Sequence, residues 1–553
     1  MDTAGVAAAA DGTRTANACK QCKQRSEEWT RERAYELKGK VRQMFVGGTT
    51  MSTADMLRLV DTLERLGIDK HFHEEIAVAL SRIHSSSEEQ DSSNDLHVVA
   101  LKFCLLRQHG FWVSTDVFDK FRDDTGNFSK DLATDPKGLL SLYNAAHMAV
   151  PGEAALDEIA TFARRHLELA KPKLRSPMVE QVSRALEIPR PRFMRRLEAM
   201  YYVTEYEQEE GHNTAILELA KLDFNILRSL HLKELQEISL WWSDLYNDVK
   251  LTYARNRIVE TYLYTCGVFH EEENSRARLM LSKGFALLSL LDDTYDTHAT
   301  FEECQILTEA IQRHDCFNCF ISRYSQYIWD ESCAPILPEY MRMFYVKMLS
   351  NLSEFEDNLE PWEKYRMPYI KEMFKLQSKK YLEEAEWFSK NYTPSFKEHV
   401  DVSLISTGLP MLFLVALMGA GKLATKEAFD WALHIPDMVH GCAETGRFLN
   451  DISSYFKPRS SKMDAASSFE CYMKEHSMTP SDAVAAFATM VEHAWRRINQ
   501  GCMELDRGIL PAAQLAVNMT RMNEVLYLHG RDAYTSSDFL RQTAASLFLK
   551  DFP

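Results

Sequence analysis

The stretch LMLSKGFALLSLLDDTYD, Leu279–Asp296, joins an almost wholly apolar segment to three aspartates. A helix that is apolar on most of its faces is buried, so the aspartates are predicted to stand at the inner end of a core helix. An uncompensated carboxylate in such a place costs several kcal/mol. The stretch therefore predicts a helical core and a cation that meets the carboxylates.

The spacing of these aspartates predicts which of them face the cation. Asp292 and Asp296 are four residues apart and share one helix face, whereas Asp293 points about 100° away. Mg²⁺ in proteins takes one or two carboxylates and completes its shell with waters and phosphate oxygens. We predict Asp292 and Asp296 as ligands of Mg²⁺, with Mn²⁺ as a substitute. A solvated helix end is the alternative interpretation of this motif alone.

Two further segments carry groups suited to the same site. In GRFLNDISSY, Gly446–Tyr455, Asn450 and Ser454 are again four residues apart and offer neutral oxygen ligands, and Arg447 precedes them by about one turn. In YARNR, Tyr253–Arg257, two arginines are expected on the helix that precedes the aspartates, where they could hold a diphosphate. Each arginine alone is more often a surface residue. Together the segments predict a site for a metal ion and a phosphorylated anion.

Composition sets the fold class. The 553 residues include only 21 Gly and 17 Pro, and Leu, Ala, Glu, Lys and Arg are plentiful, which favours long helices over turn-rich sheets. We predict an all-α protein.

The formal net charge of −16 is opposite to the electrostatic footprint of a nucleic-acid-binding protein. No stretch reaches the roughly 18 apolar residues of a membrane span, and the nearest, Gly408–Gly421, is too short.

Breaks in helical spacing suggest the domain organisation. Residues 1–26 are small-residue-rich without helical spacing and are predicted to form a disordered tail. An unbroken helical pattern over Asn213–Leu245 places a boundary near residue 220. We therefore expect an N-terminal helical domain at 27–219 and a C-terminal helical domain at 220–553.

At these motifs the chain resembles the plant class I terpene synthases, most closely the sesquiterpene synthases. DDTYD matches the family's DDxxD metal motif, RNR matches its RxR, and RFLNDISSY matches the start of its second metal motif. The resemblance covers nearly everything after residue 30. It implies two helical domains, an N-terminal α-barrel-like domain and a C-terminal class I terpenoid synthase fold. It also implies a cytoplasmic, Mg²⁺-dependent monomer that ionises farnesyl diphosphate, cyclises the cation to a sesquiterpene hydrocarbon or alcohol, and releases diphosphate.

The resemblance assigns roles to individual residues. The candidate catalytic residues are Arg255, Arg257, Arg447, Tyr264, Tyr527 and Asp532; the candidate substrate-binding residues are Arg255, Asp292, Asp296, Arg447, Asn450 and Thr407; the candidate metal ligands are Asp292, Asp296, Asn450 and Ser454. Tyr264 stands where relatives usually have Trp. Tyr527 and Tyr534 flank LHGRDA, which resembles the family's lid loop and contains Asp532. Ser406, Thr407 and Gly408 precede Pro410, so a broken helix there could point carbonyls at the carbocation.

The sequence departs from the family's pattern at two places. Pro458 stands where the second metal motif usually has Glu; water or Asp464 could replace that ligand, or activity is weak or absent. Proline also predicts that the metal-bearing helix ends near Phe456. A tandem-arginine motif typical of plastidic monoterpene synthases is absent, which favours farnesyl diphosphate and the cytosol over geranyl diphosphate. A chain-elongating prenyltransferase would need a second DDxxD.

Overall fold

A computed structural model describes the protein at residues 27–46, 51–85, 94–313, 331–456, 466–535 and 538–552. In this part of the chain the regular elements are helices, and the β-contact recorded is an isolated bridge between Arg122 and Phe128. The all-α prediction is confirmed. The described residues form two compact units. One consists of the described residues within Met1–Leu232, Arg496–Leu505 and Ala545–Pro553, and the other consists of those within Lys233–Trp495 and Asp506–Ala544.

The first unit is a helical domain. Its helices are α1 (Glu27–Val46), α2 (Thr53–Arg65), α3 (His73–Ser85), α4 (Leu96–Gln108), α5 (Pro136–Ala146), α6 (Ala154–Ala170), α7 (Met178–Glu187) and α8 (Arg195–Tyr206). Helices α4 to α7 enclose one apolar core that includes Phe103, Leu139, Leu142 and Leu167. Ser52 and Asp95 accept backbone N–H groups of the first turns of α2 and α4, which satisfies donors that a helix start leaves unpaired.

Helix α9 (Thr214–Val249) contains both the residue 220 boundary predicted from the sequence and Leu232, where the first unit's leading segment ends. After it come α10 (Ile258–Val268), α11 (Ser275–Asp293), α12 (Phe301–Gln312), α13 (Glu339–Asp357), α14 (Met367–Ser389), α15 (Phe396–Ser406), α16 (Leu409–Gly419), α17 (Lys426–Leu433), α18 (Asp437–Tyr455), α19 (Ser468–His476), α20 (Pro480–Glu504), α21 (Leu510–Leu526) and α22 (Asp538–Leu549). The second unit is built from these helices and the later part of α9, except for the ends of α20 and α22, Arg496–Glu504 and Ala545–Leu549, which belong to the first unit.

Two buried helices form the centre of the second unit. Every residue of α16 is buried, and α11 packs along it. The two helices approach closely because each has a glycine at the contact. A Cβ on Gly419 of α16 would lie 2.5 Å from the Cα of Ala277, and a Cβ on Gly284 of α11 would lie 2.9 Å from the Val415 side chain. The segment Phe396–Gly419 is long and apolar enough to cross a membrane by length and composition alone. However, 89% of its apolar window is buried inside the protein, which is typical of a core helix.

Candidate active site

A cavity of about 570 Å³ lies in the second unit. The structure brings all of the candidate catalytic, substrate-binding and metal-ligating residues to this one cavity. Its lining includes Arg255, Arg257, Tyr264, Asp292, Asp293, Asp296, Thr407, Arg447, Asn450, Ser454, Tyr527, Asp532 and Tyr534. The segments that supply them are far apart in sequence, so the fold itself assembles the site.

The aspartate motif straddles two kinds of helix. Helix α11 ends at Asp293, and Thr294–His298 continues it as one π-helical turn, a conformation that recurs at functional sites. Asp292 is partly buried and Asp296 is exposed at the cavity mouth. Burial, and then the neighbouring Asp296 carboxylate, raise the pKa of Asp292 well above its ordinary value. Two carboxylates that repel each other in this way form a binding place for a cation.

Asp293 has a different environment from the other two aspartates. It is 4% exposed, and its Oδ2 accepts the backbone N–H of Arg255 at 3.1 Å. Its Oδ1 lies 3.5 Å from a guanidinium nitrogen of Arg257. Asp293 therefore holds the arginine segment beside the aspartate helix.

The arginines of YARNR do not lie on a helix, contrary to the expectation from sequence. Helix α9 stops at Val249, Lys250 has a φ of 53°, and α10 begins only at Ile258. The left-handed residue turns the chain away from the helix axis, and Asp293 then fixes the Arg255 amide. Among the described residues the Arg255 guanidinium makes no hydrogen bond or ion pair, so it is free to meet an anion at the mouth.

Helix α18 carries the second set of candidate ligands. Arg447 donates to the side chains of both Asn450 and Asp451. The amide nitrogen of Asn450 donates to the Tyr527 hydroxyl at 3.1 Å, and Ser454 is exposed. Asp451 is 2% exposed and also accepts the backbone N–H of Ser468 at 2.9 Å. The buried carboxylate thus positions Arg447 at the cavity.

Helix α18 ends at Tyr455, with Phe456 as its C-cap, as the proline after it predicts. Pro458 and Asp464 lie outside the described residues.

Glu384 on α14 is a candidate functional residue that sequence reasoning missed. It lines the cavity, and its carboxylate accepts a hydrogen bond from the Ser406 hydroxyl at 2.6 Å. Burial raises the pKa of Glu384 to about 7, although the Ser406 hydrogen bond acts in the other direction. It stands among several acidic residues in KKYLEEAEWFSK, and the sequence of that segment does not show which of them is buried at the cavity and which are exposed to solvent.

The predicted helix break is present between α15 and α16. Gly408 has a φ of 76°, and a Cβ there would lie 2.5 Å from the Leu288 side chain, so both conformation and space call for glycine. The Ser406 carbonyl accepts from Gln377 at 3.2 Å, so this carbonyl already has a protein partner. The Thr407 hydroxyl donates to the Leu404 carbonyl at 2.9 Å.

Aromatic rings form part of the cavity wall. Tyr264 is 1% exposed and packs edge-on against Phe285 with ring centroids 5.2 Å apart; its hydroxyl has no hydrogen-bond partner among the described residues. Tyr534 stacks on the same Phe285 at 5.0 Å and 11°. Asp532 is 6% exposed and accepts the backbone N–H of Thr535 at 3.0 Å, which shapes the loop after α21.

The donor atoms fit a divalent metal ion. Asp292, Asp296 and Glu384 supply carboxylate oxygens, and Asn450 and Ser454 supply neutral oxygens, on one cavity. Hard cations such as Mg²⁺ prefer this all-oxygen set. In the part of the chain that the structure describes, no three His, Cys, Asp or Glu side chains already form a metal cage. Such an ion would therefore need water or phosphate oxygens to complete its shell.

Two family models match the chain. Residues 12–186 match the terpene synthase N-terminal domain, and residues 243–497 match the metal binding domain of the terpene synthase family. The second match contains Arg255, Asp292 and Asn450. Most residues that line the cavity thus belong to the metal binding domain match, and Tyr527, Asp532 and Tyr534 lie beyond its end.

Several known proteins are similar over nearly the whole chain. A eudesmanediol synthase of Zea mays is 53% identical over 95% of this chain and 92% of its own. A tau-cadinol synthase of Zea mays is 45% identical over 96% of this chain and 94% of its own. Isoprene synthase from grey poplar, solved with three Mg²⁺ ions and dimethylallyl-S-thiolodiphosphate, superposes with a TM-score of 0.86 at 29% identity, over 95% of this chain and 97% of that one.

Proposed function

The chain belongs to the terpene synthase family, and we propose that it is a Mg²⁺-dependent sesquiterpene synthase that ionises and cyclises farnesyl diphosphate. Membership makes it a lyase that acts on a prenyl diphosphate and uses a divalent metal. The choice of farnesyl diphosphate is supported by similar sesquiterpene synthases at 53% and 45% identity. The choice of Mg²⁺ is supported by the all-oxygen donor set and by the ions bound to isoprene synthase.

One observation carries the proposal: two oxygen-ligand sets and three arginines line the same cavity. Asp292 and Asp296 stand on α11 and the turn after it, and Asn450 and Ser454 stand on α18. The arginines are Arg255, Arg257 and Arg447. This arrangement suits a diphosphate whose negative charge increases as the carbon–oxygen bond breaks.

The chain's own residues would divide the reaction as follows. The Arg255 guanidinium, which has no protein partner among the described residues, meets the diphosphate directly, while Asp293 keeps Arg255 and Arg257 in place. Bound metal ions supply electrophilic stabilisation of the leaving group. The bond's electron pair leaves with the diphosphate, and the allylic cation remains in the cavity beside the rings of Tyr264, Phe285 and Tyr534.

The proposal is tested by turnover of purified protein. Farnesyl, geranyl and geranylgeranyl diphosphates are supplied separately with Mg²⁺, and volatile products are identified by gas chromatography with mass spectrometry. We expect a cyclic sesquiterpene from farnesyl diphosphate and none from an Asp292→Asn variant. A preference for geranyl diphosphate would instead indicate a monoterpene synthase. Absence of diphosphate release from all substrates would indicate an inactive member of the fold.

A weak second metal site is the specific alternative, because Pro458 stands where the motif usually ends in Glu. Affinity for a divalent ion falls when a charged ligand is lost. Pro458→Glu should therefore lower the Mg²⁺ concentration for half-maximal rate if α18 extends far enough to bring the new carboxylate to the Asn450 face. Pro458→Gln is the uncharged control. Identical Mg²⁺ curves for all three proteins would show that this position does not limit metal binding.

We also propose that the protein is a cytosolic monomer. The absence of the tandem-arginine motif supports the compartment. Fluorescent-protein fusions and size-exclusion chromatography with light scattering test these two points. Plastid import or a stable dimer would refute them.

A further inference from the structure

Three hydroxyl groups form a cluster beside the aspartate motif, and two of them line the cavity. The Tyr534 hydroxyl is hydrogen-bonded to Ser289 Oγ at 2.7 Å and to Thr261 Oγ1 at 3.1 Å. Ser289 precedes Asp292 by three residues on α11, so it lies about one helical turn further into the unit. The Phe285 ring stacks on Tyr534, and the same cavity is also lined by the apolar side chains of Leu288, Leu409, Leu412 and Leu526. The cluster therefore brings polar atoms next to an apolar surface.

The cluster has hydrogen-bonding capacity that its two internal contacts do not use. Each hydroxyl has one proton and two lone pairs, so two contacts leave one proton and several lone pairs for other partners. Thr261 is 1% exposed and does not line the cavity. Ser289 and Tyr534 are only partly buried and do line it. A molecule in the cavity can thus reach the cluster through these two residues.

Tyr534 is held firmly in this position. The Tyr534 ring stacks on Phe285 with centroids 5.0 Å apart, and the Arg257 guanidinium lies 4.9 Å from the centroid of the Tyr534 ring. Burial raises the pKa of Tyr534 above its ordinary value, so the phenol stays protonated and can donate or accept a hydrogen bond. Two fixed hydroxyls supply the minimum of about two polar partners that an ordered water needs in an apolar site.

We propose that Ser289 and Tyr534 hold the water molecule that captures the carbocation, so that the main product is a sesquiterpene alcohol. The proposal rests on the proposed function. A lone pair of the water oxygen forms the carbon–oxygen bond to the cationic carbon, and the oxonium then loses a proton. The diphosphate released in the first step accepts that proton. The net reaction consumes farnesyl diphosphate and water and yields an alcohol and hydrogen diphosphate.

The alternative role for the cluster is to fix the loop after α21 without contacting water. Three variants separate these roles. Ser289→Ala and Tyr534→Phe each remove one water partner, and the second keeps the stacked ring. Thr261→Val is the matched control, because it removes a hydroxyl of the same cluster that does not line the cavity. Circular dichroism and melting temperature confirm folding of each protein.

The test is turnover of farnesyl diphosphate in ¹⁸O-labelled water, with products analysed by mass spectrometry. We expect labelled alcohol from the wild type and from Thr261→Val. In Ser289→Ala and in Tyr534→Phe the ratio of alcohol to hydrocarbon should fall about tenfold, which corresponds to one lost hydrogen bond. The ratio is read per product formed, so a change in total rate does not affect it.

Four results would overturn the assignment. They are hydrocarbons alone from the wild type, alcohol without the label, unchanged ratios in both cavity variants, or an equal fall in Thr261→Val. The last result would show that the cluster acts through the loop. If no prenyl diphosphate releases diphosphate at all, the proposed function itself fails, and the water assignment falls with it. Turnover to unlabelled products refutes only the water assignment.

Discussion

Arg447 donates a hydrogen bond to Oδ1 of Asn450, the side-chain oxygen that a metal ion on α18 would need. The other end of the amide donates to Tyr527 at 3.1 Å. Because the amide oxygen has two lone pairs, a metal ion that binds Asn450 either shares this oxygen with Arg447 or displaces Arg447 from it. Diphosphate, which offers Arg447 another partner, should make that displacement easier.

Arg447→Ala should affect both stability and turnover. The substitution leaves the Asp451 carboxylate buried without its cation, at a cost of about 3 kcal/mol. Adding Asp451→Asn should restore most of the free energy of unfolding, measured in urea, but not the rate of diphosphate release. Recovery of the rate in the double variant would show that Arg447 acts only on the fold.

Asp292→Ala and Asp296→Ala should each abolish diphosphate release and leave the helical circular dichroism unchanged, since both carboxylates line the cavity. Asp293→Ala should act differently because Asp293 holds the Arg255 amide. We expect the KM for farnesyl diphosphate to rise about tenfold, with the half-maximal Mg²⁺ concentration unchanged. Equal losses at all three positions would contradict this division.

Glu384→Gln should raise the Mg²⁺ concentration for half-maximal rate, because the substitution removes a negative charge from the oxygen donors of the cavity. The amide keeps the size of the side chain and can still accept from Ser406. Titration of rate against Mg²⁺ measures the effect, and Glu383→Gln on the same helix is the control. Coincident curves for Glu384→Gln and wild type would place Glu384 outside the metal's environment.

Tyr264→Phe should stabilise the protein by about 1 kcal/mol, because it removes a buried hydroxyl that has no hydrogen-bond partner among the described residues. Urea denaturation measures the change. The ring that packs on Phe285 is kept, so the cavity wall should be unaltered. Destabilisation would mean that the hydroxyl has a partner such as a bound water.

Low pH should decrease the free energy of unfolding of the first unit, because the Asp223 carboxylate becomes protonated. Burial alone would raise the pKa of this carboxyl, but Lys70 at 2.7 Å and His71 at 2.7 Å outweigh it and hold the pKa well below its usual range. A depressed pKa contributes stability that is present above about pH 4 and is lost as the pH falls further. Asp223→Asn should unfold more easily at neutral pH and show a smaller additional loss in acid. Parallel pH profiles of the two melting temperatures would refute this.

The fold class and the ligand-bearing helices could be predicted from sequence because their signals are local. Apolar spacing identifies α11 as a core helix, and helical spacing alone relates Asp292 to Asp296 and Asn450 to Ser454. Glu384 could not be found in this way. Its role depends on which acid of α14 the fold buries, and that is decided by the packing of α15 and the hydroxyl of Ser406.

The conformation of connecting segments was also beyond the sequence signals. Nothing in YARNR shows that its arginines precede a helix instead of ending one. The left-handed Lys250 and the contact with Asp293, 38 residues away, decide it. Contacts between residues far apart in the chain produce no periodic pattern in the sequence, so sequence patterns could not predict them.

The π-turn at Thr294–His298 has a consequence for how the motif can change. A π-turn holds one residue more than a regular helical turn, so it sets the angular position of Asp296 relative to Asp292. Deletion of Thr294 or Tyr295 would remove that extra residue and shorten the spacing between the two carboxylates from four residues to three, although every aspartate of the motif remained in the chain. The stack of His298 on Tyr253, at 4.2 Å and 8°, is made by the same turn. The conformation of this turn, and not only the identity of its residues, therefore positions Asp296 at the cavity.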